Sequence, residues 1–265
     1  MGLTREEDIW SCYECGELKG RHDLWFEGDI CEDCNSLIDV LVGCEESQAI
    51  TKELRALGIR AFSCDLLPCS GGHDEWHIQG DVFQVIYDHP EIKLGIFHPP
   101  CTFLSASGAG WLYHPDDKDL PTQERRPHPK YPNRIQDRDE AVEFVKRIYE
   151  SDIPHIAIEN PIGSLSSQWR KPNQIVHPWM FGDEANKATC FWLKGLPLLT
   201  PTDVVGKGEF FEWVDGKSGK LKRQPMWYYK ALSEAKTPAE RRTLRSKTFQ
   251  GMAKAIAYQW SQVLK

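Results

Sequence analysis

The stretch Leu37-Ile-Asp-Val-Leu-Val-Gly43-Cys-Glu-Glu-Ser47-Gln-Ala-Ile50-Thr-Lys-Glu-Leu54-Arg-Ala-Leu57-Gly58 decides the fold. Residues 37–43 are a short, nearly continuous apolar run, as a strand buried on both faces requires. From Ser47 to Leu57 the period changes. Ile50, Leu54 and Leu57 fall on one face of a helix, Ser47 stands as its N-cap and Gly58 stops it. A buried strand passing through a tight turn into an amphipathic helix is the first unit of a parallel α/β sheet.

The alternation continues downstream. Arg60–Cys64 reads as a second strand ending at Asp65, and His77-Ile-Gln-Gly-Asp81-Val leads into another unit. Lys93–Phe97 is a strand that runs directly into His98-Pro99-Pro100-Cys101. Asp139–Tyr149 has helical period, with Ala141, Val142, Val145 and Ile148 inward. His155–Ile158 is a strand that delivers Glu159-Asn160-Pro161, and Ala188–Leu193 is a further strand. Sheets of this kind bind ligands beyond the carboxyl ends of their strands. That rule selects Gly43, Asp65, Asp81, Cys101 and Glu159, all at or just after predicted strand ends. Taken singly each is weak, because a cysteine there is more often a small buried hydrophobe and an acid is often a helix cap. Five in register point to one edge of the sheet.

Upstream, Cys12-Tyr-Glu-Cys15 and Cys31-Glu-Asp-Cys34 form two CxxC knuckles separated by fifteen residues. Nine cysteines, an odd number, in a chain whose N-terminus is polar and acidic rather than a secretory signal, argue for metal over disulfides. Four thiolates on two knuckles make the tetrahedral sulfur set of a structural Zn2+ site, which would supply the folding energy that a segment of this size lacks. The expected organisation is a zinc-ribbon-like module at 1–36, a catalytic core at 37–195, a small recognition region at 196–247 and a closing helix at 248–265.

Charge divides along the same boundaries. The net charge of −7 conceals a balance of −9 in residues 1–45, whereas 217–247 carries ten Lys/Arg against two acids. The acidic ribbon suits a structural or protein-docking role. The basic stretch suits phosphates, or is simply a solvated surface. No run approaches the roughly 20 apolar residues of a membrane span, so the expectation is a cytoplasmic protein with no membrane partner.

A thiol and a carboxylic acid on adjacent strand ends suit one reaction in particular. The C5 position of a pyrimidine is a poor nucleophile. Thiolate addition at C6 makes C5 carbanion-like, provided that an acid holds N3 as negative charge gathers there. Cys101 would be that nucleophile and Glu159 that acid, with Pro99 and Pro100 stiffening the approach to the thiol.

These residues resemble a known family. From about residue 39 onward the chain is similar to the DNA (cytosine-5) methyltransferases, in particular a short phage and bacterial subgroup, here with an added four-cysteine zinc ribbon. Pro99-Pro100-Cys101-Thr-Phe-Leu-Ser105 resembles the Pro-Cys nucleophile motif, and Glu159-Asn160-Pro161 the Glu-Asn-Val motif. Val42-Gly43-Cys44-Glu45-Glu46-Ser47 stands at the cofactor loop, with one glycine remaining. Asp65 and Asp81 match the acids near the cofactor's ribose and adenine. Phe181-Gly182 through Lys187-Ala-Thr189-Cys-Phe-Trp looks like the segment that carries two base-contacting arginines, with Lys187 and Thr189 in their places. Thr248–Ala257 is similar to the final helix motif. The resemblance implies a Rossmann-like S-adenosyl-L-methionine-dependent fold in a bacterial host cell. It also implies catalysis by Cys101, Glu159 and Asn160, cofactor contacts from Gly43, Glu45, Ser47, Asp65, Asp81 and Pro99, and DNA, duplex or single-stranded, as partner.

The long Gly/Pro/charged stretch from Ser107 to Asn133 could close over a flipped base, with Arg125, Arg126 and Lys130 on the backbone. Phe210–Trp213 and Met226–Tyr229 flank Asp215–Lys220 as a β-hairpin in the recognition region. Other readings stay open: the same chemistry on RNA or a free pyrimidine nucleotide, an amino-methyltransferase with a variant Pro-Pro motif, or a non-catalytic binding protein on a methyltransferase scaffold.

Overall fold

The computed structural model describes residues 37–246 and 248–265 together with two short strands, β1 (Ile9–Ser11) and β2 (Leu18–Gly20). The chain forms two compact units, Met1–Ile38 and Asp39–Lys265. In the first, β1 and β2 pair antiparallel, Ile9 opposite Gly20. The four expected zinc ligands, Cys12, Cys15, Cys31 and Cys34, lie outside the described residues.

The second unit is a mixed α/β fold. Its strands are β3 (Val40–Gly43), β4 (Ala61–Asp65), β5 (His77–Gln79), β6 (Leu94–Phe97), β7 (His155–Pro161), β8 (Gln174–Val176) and β9 (Thr189–Lys194). They form one sheet in the order β5-β4-β3-β6-β7-β9-β8. The first five run parallel, while β9 lies antiparallel to both β7 and β8. The connecting helices are α1 (Ala49–Ala56), α2 (Val82–Asp88), α3 (Arg134–Glu150) and the single turn α4 (Leu165–Gln168). Downstream lie β10 (Phe210–Val214), β11 (Leu221–Pro225), α5 (Met226–Glu234), α6 (Pro238–Ser246) and α7 (Gln250–Trp260).

Strand alternation sorts the core. Val40, Val42, Leu94, Ile96 and Ala157 cluster with Ile50 and Leu54 of α1 and with Met252, Ile256 and Trp260 of α7. Trp260 is fully buried, edge-on to Phe191 at 5.2 Å, and its indole N–H donates to the Pro197 carbonyl at 2.9 Å. Burial on this scale contributes roughly 1.5–3 kcal/mol per large apolar side chain. Val142, Val145 and Ile148 are the buried positions of α3, joined by Arg138. The inward set expected there included Ala141, which is only half-buried.

Two local expectations are corrected. Ser47 does not cap α1. The N-cap is Gln48, in the left-handed region at φ 55° and with no side-chain cap. The cap is supplied from further back by Glu45, whose carboxylate accepts from Ile50 N at 2.7 Å, Thr51 N at 3.3 Å and Thr51 Oγ1 at 2.8 Å. In the recognition region the hairpin pairs Phe210–Val214 with Leu221–Pro225, and Met226–Tyr229 opens a helix instead of forming the second strand. Pro225 lacks an N–H to extend the ladder and presets the helix start.

Among the described residues, no helix is long and apolar enough to cross a membrane.

Candidate active site at the carboxyl edge of the sheet

The chain runs from β3 to β4 and β5 on one side, then returns to place β6 and β7 on the other. The strand order therefore reverses between β3 and β6, and ligands of open α/β sheets bind at such switch points. The loops after Gly43 and after Phe97 face each other there. The His98 amide donates to the Gly43 carbonyl at 2.9 Å, which locks the two strand ends together.

Gly43 itself serves packing. A side chain at this position would meet the Phe97 ring and would lie 2.9 Å from Val82 Cγ2. Cys44, the next residue, is held at φ 60°, a conformation uncommon for a side-chain-bearing residue and frequent at ligand sites. Its thiol is pushed up to about 12, by burial first and then by the charges of Asp65, Cys64 and Asp81. Both acids expected to face the cofactor are thus gathered around the Cys44 loop. Asp65 spends Oδ1 on the Leu67 amide at 2.9 Å, and Asp81 caps α2 through Phe83 N at 2.8 Å. Immediately after Asp65, Leu66 and Leu67 are 74% and 59% exposed. An apolar surface beside a carboxylate suits a nucleoside, with its flat ring and ribose hydroxyls. Ser47 is half-buried, and Glu45 is buried with its carboxylate turned into α1, so Glu45 shapes the loop rather than offering an oxygen to a ligand.

On the other side of the switch point stand the catalytic candidates. Cys101 is exposed, three residues beyond His98. The Cys101 carbonyl accepts from Leu104 N at 3.1 Å and Ser105 N at 2.9 Å, which folds the chain back at once. That turn is clamped to the loop after β7: Ser164 N donates to the Leu104 carbonyl at 2.7 Å, and Ala106 N to the Ile162 carbonyl at 3.0 Å. Gly163 permits the approach, since a Cβ there would run into the Leu104 carbonyl.

Glu159 and Asn160 lie within β7, opposite Phe191 and Cys190 of β9, rather than beyond its end. Asn160 is buried, and its amide donates to the Pro99 carbonyl at 2.8 Å. Pro99 is buried as well, so Asn160 fixes the chain just before the nucleophile. Glu159 Oε2 lies 3.3 Å from His98 Nδ1. Burial would raise the Glu159 carboxyl. The His98 hydrogen bond, with the charges of Lys187 and His98, outweighs burial and holds it below the usual carboxylate range. The Cys101 thiol is pushed above its ordinary value by burial and by the Glu159 charge, and is partly relieved by Lys187 and Arg245. Thiol, carboxylate and two cations therefore share one electrostatic environment.

The expected substrate contacts divide. Lys187 is half-buried and faces Cys101 and Glu159. Thr189 is 0% exposed inside β9, its hydroxyl turned to the Lys187 carbonyl at 3.5 Å, so it has no surface for a base. Arg125 is tied to the carbonyls of Leu120 at 2.8 Å and Lys118 at 2.9 Å. Arg126 is bidentate on Asp117, at 2.9 and 2.6 Å. Both arginines brace the loop between Ser107 and Asn133, and the Arg126 side chain stays 63% exposed.

Three site residues were missed by sequence reasoning. His98 carried one signal, a titratable residue ending an apolar strand. Gln48 carried none, yet its buried amide ties β4, through Ser63 Oγ at 3.2 Å, to the segment after it, through the His73 carbonyl at 2.7 Å. Arg245 was visible only as part of a basic stretch. It packs over Tyr228 at 4.7 Å, and the neighbouring Trp227 donates to the Asn186 carbonyl at 3.3 Å, beside Lys187.

No family model matches the chain, and no curated protein does. Among solved structures it is similar to an E. coli protein encoded within a prophage and described as a candidate DNA modification methyltransferase. The likeness has a TM-score of 0.39 and 12% identity, and covers 74% of this chain. The chain spans 64% of that protein's length.

Proposed function

We propose that the protein is a methyltransferase acting at C5 of cytosine in DNA, through a covalent bond between Cys101 Sγ and C6. The observation that carries this reading is the pairing of an exposed thiol, Cys101 in the turn after β6, with a sheltered carboxylate held in its ionised form, Glu159 in the neighbouring strand β7. S-adenosyl-L-methionine fits the other side of that point: Asp65 and Asp81 would take its hydroxyl and amino groups, and Leu66 and Leu67 its apolar ring. When bound, it supplies a methyl group on an electrophilic sulfonium.

The protein's own residues do the rest. Cys101 gives its S–H proton to water, the thiolate Sγ bonds to C6, and the C5–C6 π electrons shift into the ring. Glu159 binds the N3 edge and the exocyclic amine, so that N3 can take a proton as C6 is attacked. After methylation, loss of the C5 proton to water restores the double bond and expels the thiolate, and N3 gives its proton back. Asn160 holds Pro99 and thereby the register of Cys101. Lys187 and Arg245 provide positive charge where the substrate backbone would pass. The stacked Phe211 and Tyr229, with centroids 3.8 Å apart, and Arg223 over Phe210 at 5.0 Å form an aromatic, basic surface suited to nucleic acid. Zn2+ binding by Cys12, Cys15, Cys31 and Cys34, a docking role for the acidic ribbon and a bacterial cytoplasmic setting remain part of the proposal.

The test is trapping by 5-fluorocytosine, whose C5 fluorine cannot leave as a proton. With S-adenosylmethionine, wild type should form a denaturation-resistant adduct with a 5-fluorocytosine oligonucleotide, and Cys101→Ala should form none. Methyl transfer at the wild-type rate by Cys101→Ala would sink the covalent step. Duplex DNA, single-stranded DNA, tRNA and dCMP assayed side by side fix the substrate class.

A further inference from the structure

We infer that His98 and Glu159 form a proton-sharing pair, in which His98 fixes one carboxylate oxygen and leaves the other to the pyrimidine edge. The inference rests on the reading of Glu159 as the group that faces N3, and it makes His98 a positioning residue for the reaction.

Three observations converge on His98. First, the contact is direct and sheltered: Nδ1 to Oε2 is 3.3 Å, with side-chain exposures of 13% and 17%. Second, the backbone that carries the imidazole is held from both sides. Its amide is bonded to Gly43 in β3, and the adjoining Pro99 carbonyl is bonded to Asn160, the residue after Glu159. Two rungs thus join the end of β6 to β7, one through Asn160 and one through the His98 ring. Third, Nε2 is buried and has no hydrogen-bond partner among the described residues. A buried polar atom left unpaired usually marks a functional demand. If Nδ1–H donates to Glu159, Nε2 is the lone pair on which the ring takes up a second proton.

The charges that face this pair are few among the described residues. Glu45 approaches His98 from the loop before α1, Lys187 faces Glu159 from the stretch before β9, and Cys101 lies beyond on the same chain segment as His98. The pair therefore shares one proton between Nδ1 and Oε2, with Lys187 and the Cys101 thiol as neighbouring donors. The proton balance closes without an added acid. As the Sγ–C6 bond forms, N3 becomes basic and draws the proton from the Glu159–His98 pair. As the C5 proton leaves to water and the Sγ–C6 bond breaks, N3 returns that proton to the pair. A hydrophobic residue at position 98 would fill the space but could neither orient Oε2 nor hold the proton.

The experiment uses the full chain with S-adenosylmethionine and a 5-fluorocytosine oligonucleotide, comparing wild type with His98→Gln and His98→Phe between about pH 5 and 8. Oligonucleotide affinity should stay within about threefold in both variants, whereas the rate of adduct formation should fall about 100-fold, the usual scale for losing a positioned acid–base group. His98→Gln, which can still donate to Oε2, should recover part of the rate in His98→Phe but not the wild-type pH profile. A purely structural role predicts instead that any rate loss follows loss of folded protein, with the pH profile unchanged. Unchanged rate and profile in His98→Gln would overturn the pair.

A second readout is independent of turnover. The carboxyl carbon of Glu159, followed by NMR and assigned with Glu159→Gln, should titrate at higher pH in His98→Phe than in wild type. An unchanged titration overturns the pair even if the enzyme is active. Absence of any adduct in wild type would instead bring down the methyl-transfer reading, and the carboxyl titration would still decide the pair.

Discussion

The carboxyl edge of the sheet and the segment after β9 are built on opposite principles. Around β6 and β7 the chain is held by bonds between strands, His98 to Gly43 and Glu159 and Asn160 to Pro99, with His98 Nε2 and Asn160 Oδ1 buried and left unpaired among the described residues. Between β9 and α7, polar and aromatic groups lie at the surface, on a hairpin whose strands are mostly exposed. The first region fixes geometry to a fraction of an ångström, as bond-making requires. The second can change its residues at little cost to the fold, as a surface that reads a substrate requires. On the proposed function, reaction and recognition would be separated along the chain, with the charges of Lys187 and Arg245 reaching Cys101 from the second region.

The sharpest way to break this contrast is by stability. Trp260→Ala empties a fully buried site shared by α7 and the sheet, and should cost about 3–5 kcal/mol in chemical denaturation. Trp213→Ala on the hairpin, where the residue is 36% exposed, should cost less than about 1 kcal/mol. Equal losses would show that the hairpin belongs to the core.

A smaller effect concerns charge. Lys187→Ala and Arg245→Ala should each weaken oligonucleotide binding and flatten the dependence of log affinity on log salt by about 0.9. Arg125→Ala and Arg126→Ala should leave the slope unchanged, because their guanidiniums are spent on the carbonyls of Leu120 and Lys118 and on Asp117. The reverse pattern would return substrate contact to the loop between Ser107 and Asn133.

The smallest effect is on the free thiol. Burial and the Glu159 charge raise the Cys101 thiol, so at about pH 8 its alkylation by iodoacetamide should be several-fold slower than that of a simple thiol. Because the folded-state value is raised, reactivity should climb with pH and continue to climb above about pH 9, where a simple thiol is already largely ionised. Glu159→Gln removes a negative charge and should speed the reaction, whereas Lys187→Ala should slow it. Cys44 and Cys64, each pushed up to about 12, should react last.

Much of the sheet was legible because its signals are local. Val40–Gly43, Ala61–Asp65 and Leu94–Phe97 are apolar runs whose composition dictates burial, and their spacing with α1 and α3 dictates parallel crossovers. The missed strand β8 is three residues long, and only its antiparallel partner β9 makes it a strand. The start of α1 was misplaced because a serine near a helix start is a common cap, whereas Glu45 reaches over an intervening turn that holds Gln48 in the left-handed region. Thr189 is shut inside β9, and the two loop arginines are bonded within their own loop, for a related reason. Sequence shows which groups could bind, but not which are already bonded to the protein.

The sequence by itself determined the class of fold, the placement of Cys101 and Glu159 toward the carboxyl ends of strands, and the split between an acidic Cys-rich start and a basic later segment. Each follows from composition and period over a few residues. Only the tertiary structure decided that β3 and β6 form the switch point, that His98 turns its ring onto Glu159, that Asn160 anchors Pro99, and that Arg245 comes to the thiol from the far end of the chain. The physical reason is that these are contacts between segments about 60 to 140 residues apart in sequence, set by strand order and packing, for which no local pattern of residues carries a signal.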